Sequence, residues 1–403
     1  MGNLRVITVA VLGMSLTAAC GAGRAAAPTP APSRTVSQDP SSQSPASPQS
    51  PAASPAATGA VAASAAWATA EGARLSGNAA LLDVAATGPR DAWAIGYQDS
   101  AEDREGSPAA LRWDGSRWRE VALPAGAFHL KGVGASGPDD VWVVGNGRNA
   151  FAAHWNGQSW TRQRPFGVTE DYRLDGVATD GGKSWFAGNG PTGGVILEWK
   201  EREFHNVLNA AGGTLGAITA RAGHVWAVGV SERRTPLIWH GTDDGTWDNT
   251  ETPEIPGGGL NRIWQISPSD VWAVGEITAG PDNPEVRYAQ PLVLHWDGSR
   301  WTRVEVPVSR GTLHGVTAIG PGDLWISGID AAHAGQPLFL HFDGRRWSRE
   351  YGPLFRAYAE GQQYDETDDV GRVGVARVPG TGTLWAVGSL GTGDDEASFL
   401  LRR

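Results

Sequence analysis

The chain has 403 residues, a formal net charge of −10, and 19 Trp against nine Phe and six Tyr, with 55 Gly and 26 Pro. That much Gly and Pro excludes long helices, and an acidic chain whose only lysines are Lys131, Lys183 and Lys200 lacks the basic cluster that nucleic acid or an anionic membrane surface requires. Cys20 is the single cysteine, so no intramolecular disulfide can form and stability must come from packing.

Residues 1–19 begin with Arg5, continue through the apolar run Val6 to Met14 and end on Thr17-Ala18-Ala19 before Cys20. A charged start, a short apolar core and small residues at the end predict an export signal, too short to remain as a spanning helix. The phrase Thr17-Ala18-Ala19-Cys20 resembles the lipobox of bacterial lipoproteins, with Thr17 where that family usually has Leu. The resemblance implies lipid on Cys20 and anchoring to the outer leaflet of the cytoplasmic membrane, the alternative being an ordinary secretory signal. Residues 20–64 are mostly Ala, Pro, Ser, Thr and Gln, with Asp39 the only acid and no aromatic residue, a composition expected to form a disordered tether.

From residue 65 to residue 403 the chain repeats. The phrase Asp140-Val141-Trp142-Val143-Val144-Gly145 recurs around Trp93, Trp185, Trp226, Trp272, Trp325 and Trp385, at spacings of 41 to 60 residues. A strand ending in Val or Ile precedes each Trp, and two more strands follow, hinged in the best copies on Asp-Gly or Asn-Gly as at Asp114-Gly115 and Asp297-Gly298. Such dipeptides supply the positive φ of tight hairpins. Four strands (a to d) at this period, seven times over, predict an all-β, seven-bladed β-propeller. The seventh unit ends after strand c at Arg403, and Ala66-Trp67-Ala68-Thr69-Ala70 matches the strand d pattern, so an N-terminal outer strand should pair with the C-terminal strand and close the ring.

Eighteen of the Trp fall on repeated positions and are expected to pack between blades. His154, His295 and His341 share one repeat position and are poor candidates for a unique catalyst. Long, non-repeated segments all fall on the b–c and d–a connections: 98–109, 166–173, 277–290 and 352–371. All six tyrosines lie in or beside such connections, namely Tyr97, Tyr172, Tyr288, Tyr351, Tyr358 and Tyr364. Tyr joins a rigid ring to a polar tip, which suits a sugar or protein partner, although the same residues can simply pin long loops. That face is also acidic (Glu102, Glu170, Glu360, Asp365, Asp368), but no stretch has the ligand spacing of a calcium loop, so neither a metal nor a cofactor is expected. Innermost, the residue before the Val or Ile of strand a is small in five blades, while blade 1 has Asp83 and blade 5 has Arg262 followed by Trp264. Arg262 and Trp264 either hold an anionic or sugar ligand or plug the channel, with Asp83 as the partner of the arginine.

The lipobox, the tether and the recurring Val-Trp-Ala-Val-Gly and His-Trp-Asp-Gly phrases together resemble secreted, Trp-rich propeller lipoproteins of high-GC Gram-positive bacteria, distantly similar to kelch, galactose-oxidase-like and Asp-box propellers. Galactose-oxidase chemistry needs a cysteine inside the propeller, and Asp243-Asp244-Gly245-Thr246-Trp247 only approaches an Asp-box. The expectation is a monomeric binding or scaffold module that engages an extracytoplasmic protein or cell-wall glycan, with Tyr97, Tyr172, Arg262, Trp264, Tyr288, Tyr358 and Tyr364 as candidate contacts. Two alternatives stay open: a carbohydrate-active hydrolase using loop carboxylates, and a structural assembly platform.

Overall fold

A computed structural model describes residues 66–72, 74–101, 106–164, 172–280, 289–355, 370–391 and 396–403. Cys20, the tether, Tyr288, Tyr358, Tyr364 and the acidic centres of the long connections lie outside the described residues. Seven four-stranded antiparallel sheets form the seven blades of a β-propeller, each ordered a-b-c-d from the axis outward. Blade 7 takes strands a to c from Val370–Arg377, Leu384–Leu390 and Ala397–Arg402, and strand d from Ala68–Thr69. Ala68 pairs with Arg402 and Thr69 with Leu401, so the two ends of the domain share one sheet. Trp67 stacks on Phe339 at 3.6 Å and meets Trp325 edge-on, sealing the seam with blade 6.

The predicted hairpin chemistry is visible atom by atom. Gly115, Gly157, Gly298 and Gly344 have φ between 87° and 96°. Beside each, the side-chain oxygen of Asp114, Asn156, Asp297 or Asp343 accepts two backbone N–H groups at 2.7–3.0 Å. The turn and its cap thus come from the same dipeptide.

Seven apolar clusters fill the seven blade interfaces among the described residues. The strand b Trp of one blade meets the strand c and d rings of the next: Trp93 lies 5.2 Å from Trp155 and 5.0 Å from Trp160, and Trp385 lies 4.9 Å from Trp113 and 5.0 Å from Trp118. At about 25 cal/mol per Å² of buried apolar surface, each such ring contributes roughly 4–6 kcal/mol of transfer free energy. The shared histidines belong to this frame. His295 and His341 stack over the strand b Trp, His154 lies tilted against it, and the three bond Asp270, Asp323 and Asp140 at 2.9, 3.1 and 2.8 Å. In blade 1 Arg112 replaces the histidine, with its Nε 2.8 Å from Asp91 and its guanidinium over Trp93.

Candidate ligand-binding site at the channel mouth

The inner strands carry the asymmetry that the outer strands lack. In blades 1 to 6 strand a has a β-bulge at one equivalent place, which leaves Leu82, Lys131, Asp175, Gly216, Asn261 and His314 unpaired against strand b. In blade 7 the irregularity falls just before Val373 and takes in Gly371 and Arg372. A bulge re-aims the extra residue away from the regular pleat. In blades 1 to 6 the extra residue falls at one place on the inner strand, and no two of these six blades use the same residue type.

The bulge also explains the repeated Gly of strand b. A Cβ built on Gly96, Gly145, Gly188, Gly229, Gly275, Gly328 or Gly388 would fall 1.8–2.1 Å from a carbonyl oxygen of strand a in its own blade. After that Gly come Asn146 and Asn189, whose side chains clasp the next blade. Asn146 Oδ1 accepts the Leu174 N–H at 3.3 Å, and Asn189 Oδ1 accepts the Leu215 N–H at 2.9 Å. Their amides also hold Asp175, one oxygen each, at 3.4 and 3.2 Å.

The side chains of this ring share one electrostatic neighbourhood. Arg372 feels the charges of Arg262, Asp83, Asp175 and Glu276, and in turn acts on Lys131 and His314. A blade 7 side chain coupled to groups on blades 1, 2, 3, 5 and 6 lies close to the axis. Burial, more than any partner, pushes the Lys131 ammonium and the Arg372 guanidinium down, and it pushes the Asp175 and Glu276 carboxyls up.

Arg262 forms an ion pair with Asp83 across the channel. Asp83 Oδ1 also accepts its own strand's Val84 N–H at 2.8 Å, and Oδ2 accepts the Val133 N–H of blade 2 at 3.0 Å. Trp264 lies on the a–b side of that pair and, with Arg262, lines a cavity of about 180 Å³ bounded by strands from all seven blades. Its Nε1 is buried without a hydrogen-bond partner. A second hollow, of about 490 Å³, opens beside the ring between blades 4 and 5, lined by Thr214, Gly216, Arg234, Gly259, Asn261 and Glu276 among others. One wall is the blade 4 bulge residue Gly216, where a Cβ would meet nothing within 4 Å.

Three described tyrosines are engaged within the molecule. Tyr97 stacks on His129 at 4.0 Å and its hydroxyl bonds Glu396, Tyr351 donates to Asp330 at 2.7 Å, and Tyr172 packs against the core between blades 2 and 3. The structure therefore brings Arg262 to the axis with Lys131, Asp175, Glu276, His314 and Arg372, five residues that sequence reading passes over. For Lys131, Asp175 and His314 the signal lay in one column of the repeat, the residue just before the small residue of strand a, whose type changes from blade to blade; Arg372 and Glu276 lie outside that column.

No protein-family model matches the chain, and no curated protein matches it. Among solved structures it is similar to "YCF48 bound to D1 peptide", with a TM-score of 0.52 at 15% identity over 83% of this chain and 96% of that one. YCF48 from Cyanidioschyzon merolae aligns with a TM-score of 0.52 at 14% identity, over 84% and 98% of the two chains. A GH74 xyloglucanase from Xanthomonas campestris aligns at 0.54 and 13% identity, over 81% of this chain and 53% of that one. These are β-propellers. At such identities the likeness is one of fold alone, and the propeller's ligand has to be read from its own residues.

Two histidines make the propeller sensitive to acid. His314 is half-buried: its Nδ1 accepts the Val373 N–H at 3.2 Å and its Nε2–H faces the Thr312 hydroxyl at 2.9 Å. Burial, then Arg372, holds it down at about 3, while burial and then His224 hold His240 at about 4. An unfolded histidine titrates near 6.5, so between that pH and the folded values the unfolded chain binds more protons, and stability rises with pH. Stability is then complete above about pH 6.5 and is lost as pH falls toward 4. Thermal unfolding at pH 4.5 should occur roughly 5 °C or more below that at pH 7.5, and His240→Asn should reduce the difference. An unchanged difference in that variant would remove His240 from the account.

Proposed function

We propose that the protein is a binding module that engages an extracytoplasmic protein or cell-wall glycan on the b–c and d–a face, at the channel mouth. In this reading lipid on Cys20 holds it outside the cytoplasmic membrane, and residues 20–64 act as the spacer. The supporting observation is the ring itself. A structural position repeated in every blade carries Leu82, Lys131, Asp175, Gly216, Asn261 and His314, with Arg372 beside it, a diversity that a purely architectural role does not require. Propellers of this frame include one solved with a peptide bound.

The test is capture from an envelope extract by the full chain carrying Cys20→Ser, with half of the extract protease-treated. Capture lost in Lys131→Gln and Arg372→Gln is the expected result; survival of capture after protease identifies a glycan and its loss identifies a protein. Capture that is equal in the variants would move the function to the blade sides, the assembly-platform reading.

One observation favours a hydrolase as a second reading. Glu276 lines the 490 Å³ hollow and burial raises its pKa, as a general acid requires. Release of reducing sugar from cell-wall glycan that disappears in Glu276→Gln would establish it.

A further inference from the structure

Strand d of blade 7 stops short of the strand it covers. In blade 6, strand d (Trp347–Tyr351) pairs with strand c from Phe342 through to Leu338. In blade 7, Ala68 and Thr69 pair with Arg402 and Leu401, the Ala70 N–H reaches the Leu400 carbonyl at 2.9 Å, and the pairing ends there. The same register carried further would set Gly72 opposite Ser398. Gly72 lies instead against blade 1, where a Cβ built on it would fall 2.9 Å from the Trp118 Cβ. The chain returns to blade 7 where the Ala79 N–H meets the Glu396 carbonyl at 3.1 Å.

Strand alternation shows what that detour uncovers. Arg403 exchanges both backbone bonds with Leu384 of strand b, so Leu401, Phe399 and Ala397 face strand b while Leu400, Ser398 and Glu396 face outward. The Leu400 and Glu396 carbonyls accept from Ala70 and Ala79. Between them, the N–H and C=O of Ser398 have no partner among the described residues.

A hollow of about 690 Å³ occupies the room that strand d leaves. Its apolar lining comes from Leu75, Leu81, Leu111 and Leu390, with Phe355 stacked on Phe399 at 5.0 Å. Leu81 and Leu111 are buried, so this bed belongs to the rigid seam between blades 7 and 1. The charged lining residues, Glu71 and Arg74, are exposed and opposite in sign, so nothing here selects a charged ligand. A donor and an acceptor at one strand position beside an apolar bed are the two parts of a strand-addition site. A small apolar molecule would leave both Ser398 groups unmet, and a glycan would bury hydroxyls against leucines.

We propose that this hollow binds an extended apolar peptide segment, which completes strand d of blade 7 by exchanging both backbone bonds with Ser398 and lays an apolar side chain on the leucine bed. The site uses none of the channel-mouth residues and goes beyond the function proposed above.

The experiment is a calorimetric titration of the full chain carrying Cys20→Ser with the blocked pentapeptide acetyl-Thr-Val-Leu-Val-Thr-amide. A form N-methylated at every residue, which keeps the side chains and loses every donor, should bind at least ~10-fold more weakly, and so should a form with Ser in place of Leu. Affinity should change less than ~2-fold between low and physiological salt, because the charges at the site cancel. Ser398→Pro removes an outward N–H and none of the bonds to strand b, so the fold is retained and peptide affinity should fall by about 10-fold. The N-methylated comparison leaves the protein unchanged, so it decides the case even where Ser398→Pro melts early. No binding at about 1 mM peptide, equal binding of the N-methylated form, or decanoate binding as tightly as the peptide would overturn the inference. Each of these outcomes leaves the channel-mouth reading standing, since its capture test depends on Lys131 and Arg372.

Discussion

Replacing Gly145 by Ala lowers the stability of the propeller by about 3 kcal/mol or more, the range of an overpacked core position whose neighbour cannot move. The added Cβ would sit 2.1 Å from the His129 carbonyl oxygen and 2.8 Å from the Leu130 Cα, both backbone atoms. Neither can yield locally, because the bulge at Lys131 that turns this carbonyl toward strand b also places Leu130 in the core, with no exposed surface. Gly320→Ala is the control. Its Cβ would meet nothing within 4 Å, so the change should stay within about 0.5 kcal/mol. Urea unfolding of the two variants gives the comparison directly. A Gly145→Ala protein as stable as the control would mean that strand a has no bulge there, and the channel-mouth ring would lose its geometric basis.

Asp83→Ala should be comparably damaging, at about 3–5 kcal/mol, because it leaves Arg262 facing the channel without its partner and deprives the Val133 N–H of its acceptor. Asp83 is 2% exposed and ties together blades 1, 2 and 5. The double variant Asp83→Ala, Arg262→Met should recover part of the loss, since removing both members of a buried pair is far less costly than removing one. A double variant less stable than Asp83→Ala alone would show that Arg262 stabilises the channel by packing and not through the pair.

Much of the frame was legible residue by residue. Trp142 and its six equivalents, the Asp-Gly and Asn-Gly hinges, and the strand d pattern at Trp67 predicted seven blades and their closure, and the structure has both. These signals are readable because each depends on neighbours in sequence or in the adjoining blade, and the same local solution is written seven times. The shared histidines were legible for the same reason, each sitting over its own Trp and beside its own Asp.

The described tyrosines have partners within the molecule that their distribution along the chain did not reveal. Tyr97 and Tyr351 direct their hydroxyls to Glu396 and Asp330, contacts that no spacing rule could reveal. Lys131 and Arg372 were invisible as members of one electrostatic neighbourhood, since 241 residues separate them and no motif joins a lysine in one repeat to an arginine in another.

By itself, then, the sequence determined the all-β class, the blade count, the aromatic core and the closing strand, because repeated apolar and turn positions act through short-range packing. Only the tertiary structure decided the site. Strand a of every blade has to bulge, and the ring has to close, before Asp83 can reach Arg262 and before the half-buried Lys131, Asp175, His314 and Arg372 can share one electrostatic neighbourhood.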